Sequence, residues 1–245
     1  MGDLATVTES NMILDLSPEC RLEDTSLVKP GRVAWSWWSD GDSPSDLEVQ
    51  KKFVRFAAEW GWEYVLVDAG SGVGELTLDE MAGVRHVFLT HSHLDHVGFL
   101  PLLLDTLFET LSDPAHGPLT VHAQPITLQA LRSHIFNWVI WPDFTELPSA
   151  EQPVVRLDPM EPGEAIDLDG RRVTMIPGHH AVPAVGYHLA DAGVALAFSG
   201  DCTTNDIFWQ GLNARERLDH LIVEAAFPDE QGELAAAAKH YTPSL

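Results

Sequence analysis

Positive charge is what this chain has least of: 14 lysines and arginines stand against 37 aspartates and glutamates, a formal net charge of −23. Such a surface repels a nucleic-acid backbone and an anionic membrane, so affinity for phosphate must come from a local positive centre. Cysteine is scarce as well. Cys20 and Cys202 lie too far apart for zinc-finger spacing and are too few for a disulfide framework, which fits a reducing compartment. Residues 1–10 have neither a basic stretch nor an apolar one of the secretory kind, and no run is apolar for long enough to span a bilayer. The expected location is therefore the cytoplasm, with no long nucleic acid and no membrane as partner. Internal repeats and low-complexity tracts are also absent. What is present is apolar mass: 45% hydrophobic residues over 245 positions is enough for a sizeable core, in one large domain or a domain with a fragment attached.

Histidine is concentrated in one place. His91, His93, Asp95 and His96 crowd into Thr90-His91-Ser92-His93-Leu94-Asp95-His96-Val97-Gly98. The run follows a β-prone stretch, Val84 to Leu89, and precedes a helix-like one, Phe99 to Leu111. A strand-to-helix loop of imidazoles and a carboxylate leaves its polar atoms unpaired if merely buried, and a divalent cation resolves that by accepting their lone pairs. Taken singly, Asp95 reads equally as a helix cap and Asp201 as a turn residue. By contrast, Ser71-Gly72-Val73-Gly74-Glu75 is a turn-like linker and not a phosphate loop, because no lysine follows it.

The H-x-H-x-D-H pattern resembles the signature of the metallo-β-lactamase superfamily, and further motifs follow in order. Pro177-Gly178-His179-His180-Ala181-Val182-Pro183 resembles the stretch that supplies the next histidine. Phe198-Ser199-Gly200-Asp201 resembles the one that supplies a bridging aspartate. Asn137 to Phe144 and Gly200 to Asp206 are similar to class II 3′,5′-cyclic-nucleotide phosphodiesterases. The resemblance runs over about residues 68–245. It implies an α/β fold, an αβ/βα sandwich, incomplete here because the family's last metal-binding histidine would lie beyond the position of Leu245. It implies that His91, His93 and His180 hold one metal, Asp95 and His96 the other, and that Asp201 bridges them. His180 is preferred to His179 because it sits two before Val182-Pro183. Up to two Zn²⁺ ions are expected, with Mn²⁺ or Fe also compatible with imidazole and carboxylate donors. Asp95 is expected beside the attacking water. Glu224 and His240 match a pair that relatives such as tRNase Z use to protonate a leaving oxygen. The implied partner is a small nucleotide, and a homodimer is allowed.

The first 67 residues have another character. Three of four lysines (Lys29, Lys51, Lys52) and five of eight tryptophans (Trp35, Trp37, Trp38, Trp60, Trp62) fall there. Val33 to Trp38 reads as a strand. Ser45 with Glu48 makes a capping box, and Phe53, Phe56, Ala57 and Trp60 form a helical stripe ended by Gly61. Trp62 to Val67 reads as a second strand. Lys29 to Asp40 and Gly61 to Asp68 resemble the opening β-α-β unit of the catalytic barrel of glycoside hydrolase family 97, without the carboxylates that family uses. The expected division is thus a barrel-type fragment, 1–67, ahead of a hydrolase domain, 68–245.

Downstream, strands are expected at Leu119–His122, Val173–Ile176, Val185–Leu189, Val194–Ser199 and Leu221–Val223, with a helical stripe of Leu128, Leu131, Ile135 and Trp138. The tryptophans near 138–141 read as a wall for a nucleobase or as packing at a helix end. His134 reads as a packed or capping residue. His86, His116, His122, His188 and His220 belong to no motif and read as structural. Cleavage of a cyclic-AMP-like phosphodiester by metal-activated water is the favoured function. A tRNase Z-like nuclease and a catalytically incomplete, fused metal-binding chain remain the alternatives.

Overall fold

A computed structural model describes residues 65–241. The expectations for Val33–Trp38, Ser45 with Glu48, and the stripe from Phe53 to Trp60 lie outside the described residues, as do Cys20 and the first three lysines. Of the expected strand Trp62–Val67, the described part is β1, Val65–Val67.

Two sheets face one another. The first has the order β1-β2-β3-β6, all parallel, from β1, β2 (His86–Phe88), β3 (Leu119–Ala123) and β6 (Val155–Pro159). The second has the order β11-β10-β9-β8-β7, from β7 (Ala165–Leu168), β8 (Arg171–Gly178), β9 (Ala184–Ala190), β10 (Ala195–Phe198) and β11 (His220–Ile222). A small hairpin of β4 (Pro148–Ser149) and β5 (Gln152–Pro153) sits outside both.

Three apolar layers hold four structural layers together, which makes the αβ/βα sandwich. Outward-facing Val87, Leu89, Leu119, Val121 and Val155 meet Leu100, Leu103 and Leu104 of α3 (Leu100–Thr106) and Leu128 and Leu131 of α5 (Pro125–His134). Between the sheets, Phe88 packs with Val173, Met175, Val185, Tyr187 and Leu189. These positions alternate along each strand, so the period of two sends their neighbours to the far side. There Ile176 and Ala197 meet Phe208 and Leu212 of α6 (Asp206–Asn213). The fully buried Tyr187 still satisfies its hydroxyl, which donates to the Leu89 carbonyl at 2.8 Å.

The remaining helices are α1 (Leu78–Gly83), α2 (Leu94–Val97), α4 (Phe108–Ser112) and α7 (Gly232–Ala238). Thr77 and Glu80 close a reciprocal capping box at the start of α1. The helix expected over Phe99–Leu111 is divided at Leu107 into α3 and α4. The stripe expected to end at Trp138 stops earlier: α5 ends at His134, and Trp138 is exposed with φ 63°. His134 is exposed rather than packed; a basic residue in a helix's last turn favours the dipole from outside. Among the described residues no helix is long and apolar enough to cross a membrane.

Candidate metal centre

Parallel pairing brings the ends of β1 and β2 side by side, Val67 opposite Phe88. Their extensions, Asp68 and the loop from Thr90 to His96, therefore share one rim, where ligands of parallel sheets gather. Asp68 leaves β1 with φ 60°, a region unfavourable for a residue with a side chain. Its carboxylate offsets that cost with hydrogen bonds. Oδ1 accepts from the Thr90 amide at 2.7 Å, Oδ2 accepts from the Thr90 hydroxyl at 2.8 Å, and Oδ2 also accepts from His96 Nδ1 at 2.8 Å.

This one carboxylate sets two imidazoles. The Thr90 hydroxyl spends its proton on Asp68, so at 3.0 Å it must accept from His91 Nδ1. His91 and His96 are then both protonated on Nδ1 and present Nε2 to the centre. His180 is fixed the same way: its Nδ1 donates to the Lys239 carbonyl at 2.9 Å. The inward nitrogens converge. His91 Nε2 lies 3.0 Å from His93 Nδ1, and His180 Nε2 lies 3.2 Å from the same atom. Tetrahedral ligands around a cation with N–metal bonds of about 2.0–2.1 Å sit roughly 3.4 Å apart, so three lone pairs at these spacings fit a divalent ion. Lone pairs facing one another without a cation would repel.

Asp201 joins the two halves. Its Oδ1 lies 3.2 Å from His96 Nε2 and its Oδ2 lies 3.8 Å from His180 Nε2. Asp95 Oδ2 reaches to 3.6 Å from His96 Nε2. Two groups able to hold a metal result: His91, His93, His180 and Asp201, and then Asp95, His96 and Asp201. Gly200 allows the approach. It has φ 61°, and a Cβ there would lie 2.8 Å from the Thr90 Cβ.

The electrostatics agree. Burial and then the His96 charge depress the His91 pKa to about 3. Burial works against a proton on His96, yet its hydrogen bonds to Asp201 and Asp68 outweigh that and raise it to about 10. Burial pushes Asp201 up, and the His96 hydrogen bond and charge overcome it, giving about 2. The carboxylates thus attract a proton to the place where a cation would sit.

Glu224 and His240, 16 residues apart, also meet. Buried Glu224 accepts from the Cys202 amide through Oε2 at 2.9 Å and faces His240 Nδ1 through Oε1 at 2.9 Å. His240 Nδ1 is 3.9 Å from Asp201 Oδ2. Burial raises the Glu224 pKa, opposed by the Cys202 amide and by His240. Cys202 is buried, and burial pushes its thiol up. His179 is exposed; only His180 of the two turns toward the cluster.

The sequence profile of the beta-lactamase superfamily domain matches residues 63–244. The chain belongs to this superfamily. Its build is that of a metallo-β-lactamase-fold hydrolase, a fold that typically binds divalent metals. A probable 3′,5′-cyclic-nucleotide phosphodiesterase of Yersinia pestis is 26% identical over 176 residues, which are 66% of this chain and 48% of that protein. A probable retaining alpha-galactosidase of Streptomyces bingchenggensis is 49% identical over 71 residues, 29% of this chain and 11% of that one. The chain thus spans about half, or far less, of these relatives' lengths. The unliganded yeast phosphodiesterase PDE1 structure shares the fold with a TM-score of 0.56 at 21% identity, covering 67% of this chain and 50% of that one. A ribonuclease Z of Mycobacterium bovis is 28% identical over 176 residues, 66% of this chain and 61% of that protein.

Every expected site residue falls within the two metal groups or the adjoining Glu224–His240 pair. Asp68 and Thr90 were not recognised as functional from sequence. The available signal was position: an aspartate just past an apolar parallel strand, on the rim shared with the histidine loop. The aromatic wall does not reach this rim. The crossover from β3 through α5 to parallel β6 returns the chain to the opposite end of the sheet, so residues 138–141 lie at the far end from the cluster.

Proposed function

We propose that this superfamily member hydrolyses a phosphodiester in a small nucleotide, a 3′,5′-cyclic nucleotide of the cyclic AMP kind. The observation that carries the reading is the buried Glu224 carboxylate holding His240 beside a four-plus-three donor cluster. His91, His93, His180, Asp95, His96 and Asp201 would hold up to two divalent ions, Zn²⁺ foremost, with Asp201 spanning both. Bound there, such ions supply Lewis-acid polarisation of the phosphoryl group and lower the pKa of water.

The chain's own residues do the rest. Exposed Asp95 orients the attacking water and takes its proton. Glu224 accepts a hydrogen bond from His240 Nδ1 and supports the imidazolium, which leaves Nε2 to give a proton to the departing oxygen. Water adds to phosphorus, the P–O3′ bond breaks, and O3′ leaves as a hydroxyl. A net charge of −23 disfavours a long polyanion, and the span from His180 to Asp201 is occupied by β9 and β10, with no inserted arm. Both features, with the Yersinia relative, support a small substrate over tRNA.

The test is hydrolysis of cyclic AMP by the metal-loaded chain and by His93→Ala and Asp95→Asn. Each substitution is expected to abolish turnover while the far-UV circular dichroism is kept. Turnover surviving either change removes the proposed centre.

A further inference from the structure

The sandwich holds a second pair of facing imidazoles, away from the rim just described. His122 lies directly opposite Phe88 on one side and Asp158 on the other, and His86 is two residues before Phe88. Strand alternation puts all of them on the face between the sheets. His86 Nδ1 is 3.0 Å from His122 Nε2, the same separation as the His91–His93 pair. Their rings stack at 21° with centroids 5.2 Å apart, and His122 also stacks on Phe88 at 4.6 Å. On its other side, buried His122 Nδ1 has Asp158 Oδ2 at 3.2 Å, but off the line of a good hydrogen bond. A carboxylate behind one ring nitrogen, with the other nitrogen facing a second imidazole, is an arrangement also found around metal-ligating histidines.

We infer that His86 Nδ1 and His122 Nε2 bind one further divalent transition-metal ion, with the Asp158 carboxylate adding negative charge behind His122. Four observations favour a cation over a simple ring-to-ring hydrogen bond. His86 and His122 both line a cleft of about 770 Å³, together with Thr120, which gives an ion room for water ligands. Asp158 and Asp169 lie near enough to favour positive charge at His86. Burial, the largest influence on each ring, holds both imidazoles below their usual pKa, His122 at about 4, so their lone pairs are free at neutral pH. And the His122 ring is already stacked on Phe88 before any ion arrives. Arg132 and Arg156 line the same cleft, and Arg85 opposes positive charge at His86. With only two protein ligands, this place should be weaker than the four-ligand group and fill at micromolar zinc.

Equilibrium dialysis of the full chain against Zn²⁺ at pH 7.5 tests this. The chain is expected to bind one more zinc at about 100 μM free ion than His86→Gln does. Asp158→Asn should weaken that last ion tenfold or more. His134→Gln, which alters an exposed histidine that does not line the cleft, should change nothing. Because His122 is buried and its replacement risks unfolding, His86→Gln carries the test, with circular dichroism confirming that it is folded. Cobalt absorption from nitrogen-ligated Co²⁺, lost in His86→Gln, is the second readout. Equal zinc counts and equal cobalt spectra for the chain and a folded His86→Gln would overturn the proposal and leave a plain hydrogen bond between two neutral rings.

Discussion

Asp68→Asn should damage the metal centre without touching a ligand. Asp68 is about one-tenth exposed, and its two oxygens face only donors: the Thr90 amide, the Thr90 hydroxyl and His96 Nδ1. An amide cannot satisfy them all. With its NH2 toward His96, that imidazole must move its proton to Nε2, the nitrogen needed by a metal. With its NH2 toward the Thr90 amide, two N–H groups oppose each other, while the remaining oxygen still accepts from the hydroxyl and from His96. Either way one charge-assisted hydrogen bond is lost and one buried donor is orphaned, about 2–4 kcal/mol in unfolding free energy. Second-layer partners of this kind change metal affinity by about 10–100-fold. Urea unfolding of the metal-free chain measures the first number, and competition with a zinc chelator measures the second. A variant with the parental urea midpoint and the parental zinc affinity would refute the idea that Asp68 sets the two tautomers.

Four donors serve one metal group and three the other, with Asp201 shared, so limited chelation should remove the ion at Asp95 and His96 first; elemental analysis showing two equally retained ions would contradict this. His122 is held neutral with a folded pKa near 4 against an ordinary 6.5. The unfolded chain therefore binds the extra proton between those values, and stability present above pH 6.5 falls as pH drops toward 4, by roughly 3 kcal/mol from this group. Urea titrations at pH 7, 6 and 5 in the presence of chelator should show a shallower loss for His122→Leu than for the parent, and equal slopes would count against it. If residues 1–67 are a separate barrel-type fragment, removal of residues 1–60 should improve solubility more than it weakens zinc binding. Loss of both zinc binding and cooperative unfolding on that deletion would instead make the two parts one domain.

The centre was legible in sequence because its key donors are local: His91, His93, Asp95 and His96 lie within one loop and carry their spacing with them. The strands around Val121, Met175 and Tyr187 were legible for a similar reason, being apolar or β-branched on the faces they bury. Asp68 was not, since a lone aspartate after a short strand looks like any turn residue until the parallel pairing of β1 with β2 is known. β7 was also hidden: Ala165–Leu168 is only half buried and carries an aspartate, so no run stands out. Trp138 misled for the opposite reason. It continues the helical spacing of Leu128 and Leu131, but the backbone turns at Ile135 and leaves the ring in solvent.

Lys239 ends α7 in a left-handed conformation, and its carbonyl accepts the hydrogen bond of His180 Nδ1 while the next residue reaches Glu224. The donors of the two groups have all been made by residue 201, but the group that aims His180 arrives 38 positions later. A chain growing from a ribosome therefore carries these donors for some time before it has the carbonyl that aims His180. Any ion that the proposed centre takes would then be held with a fixed His180 only after Lys239 has docked beside it.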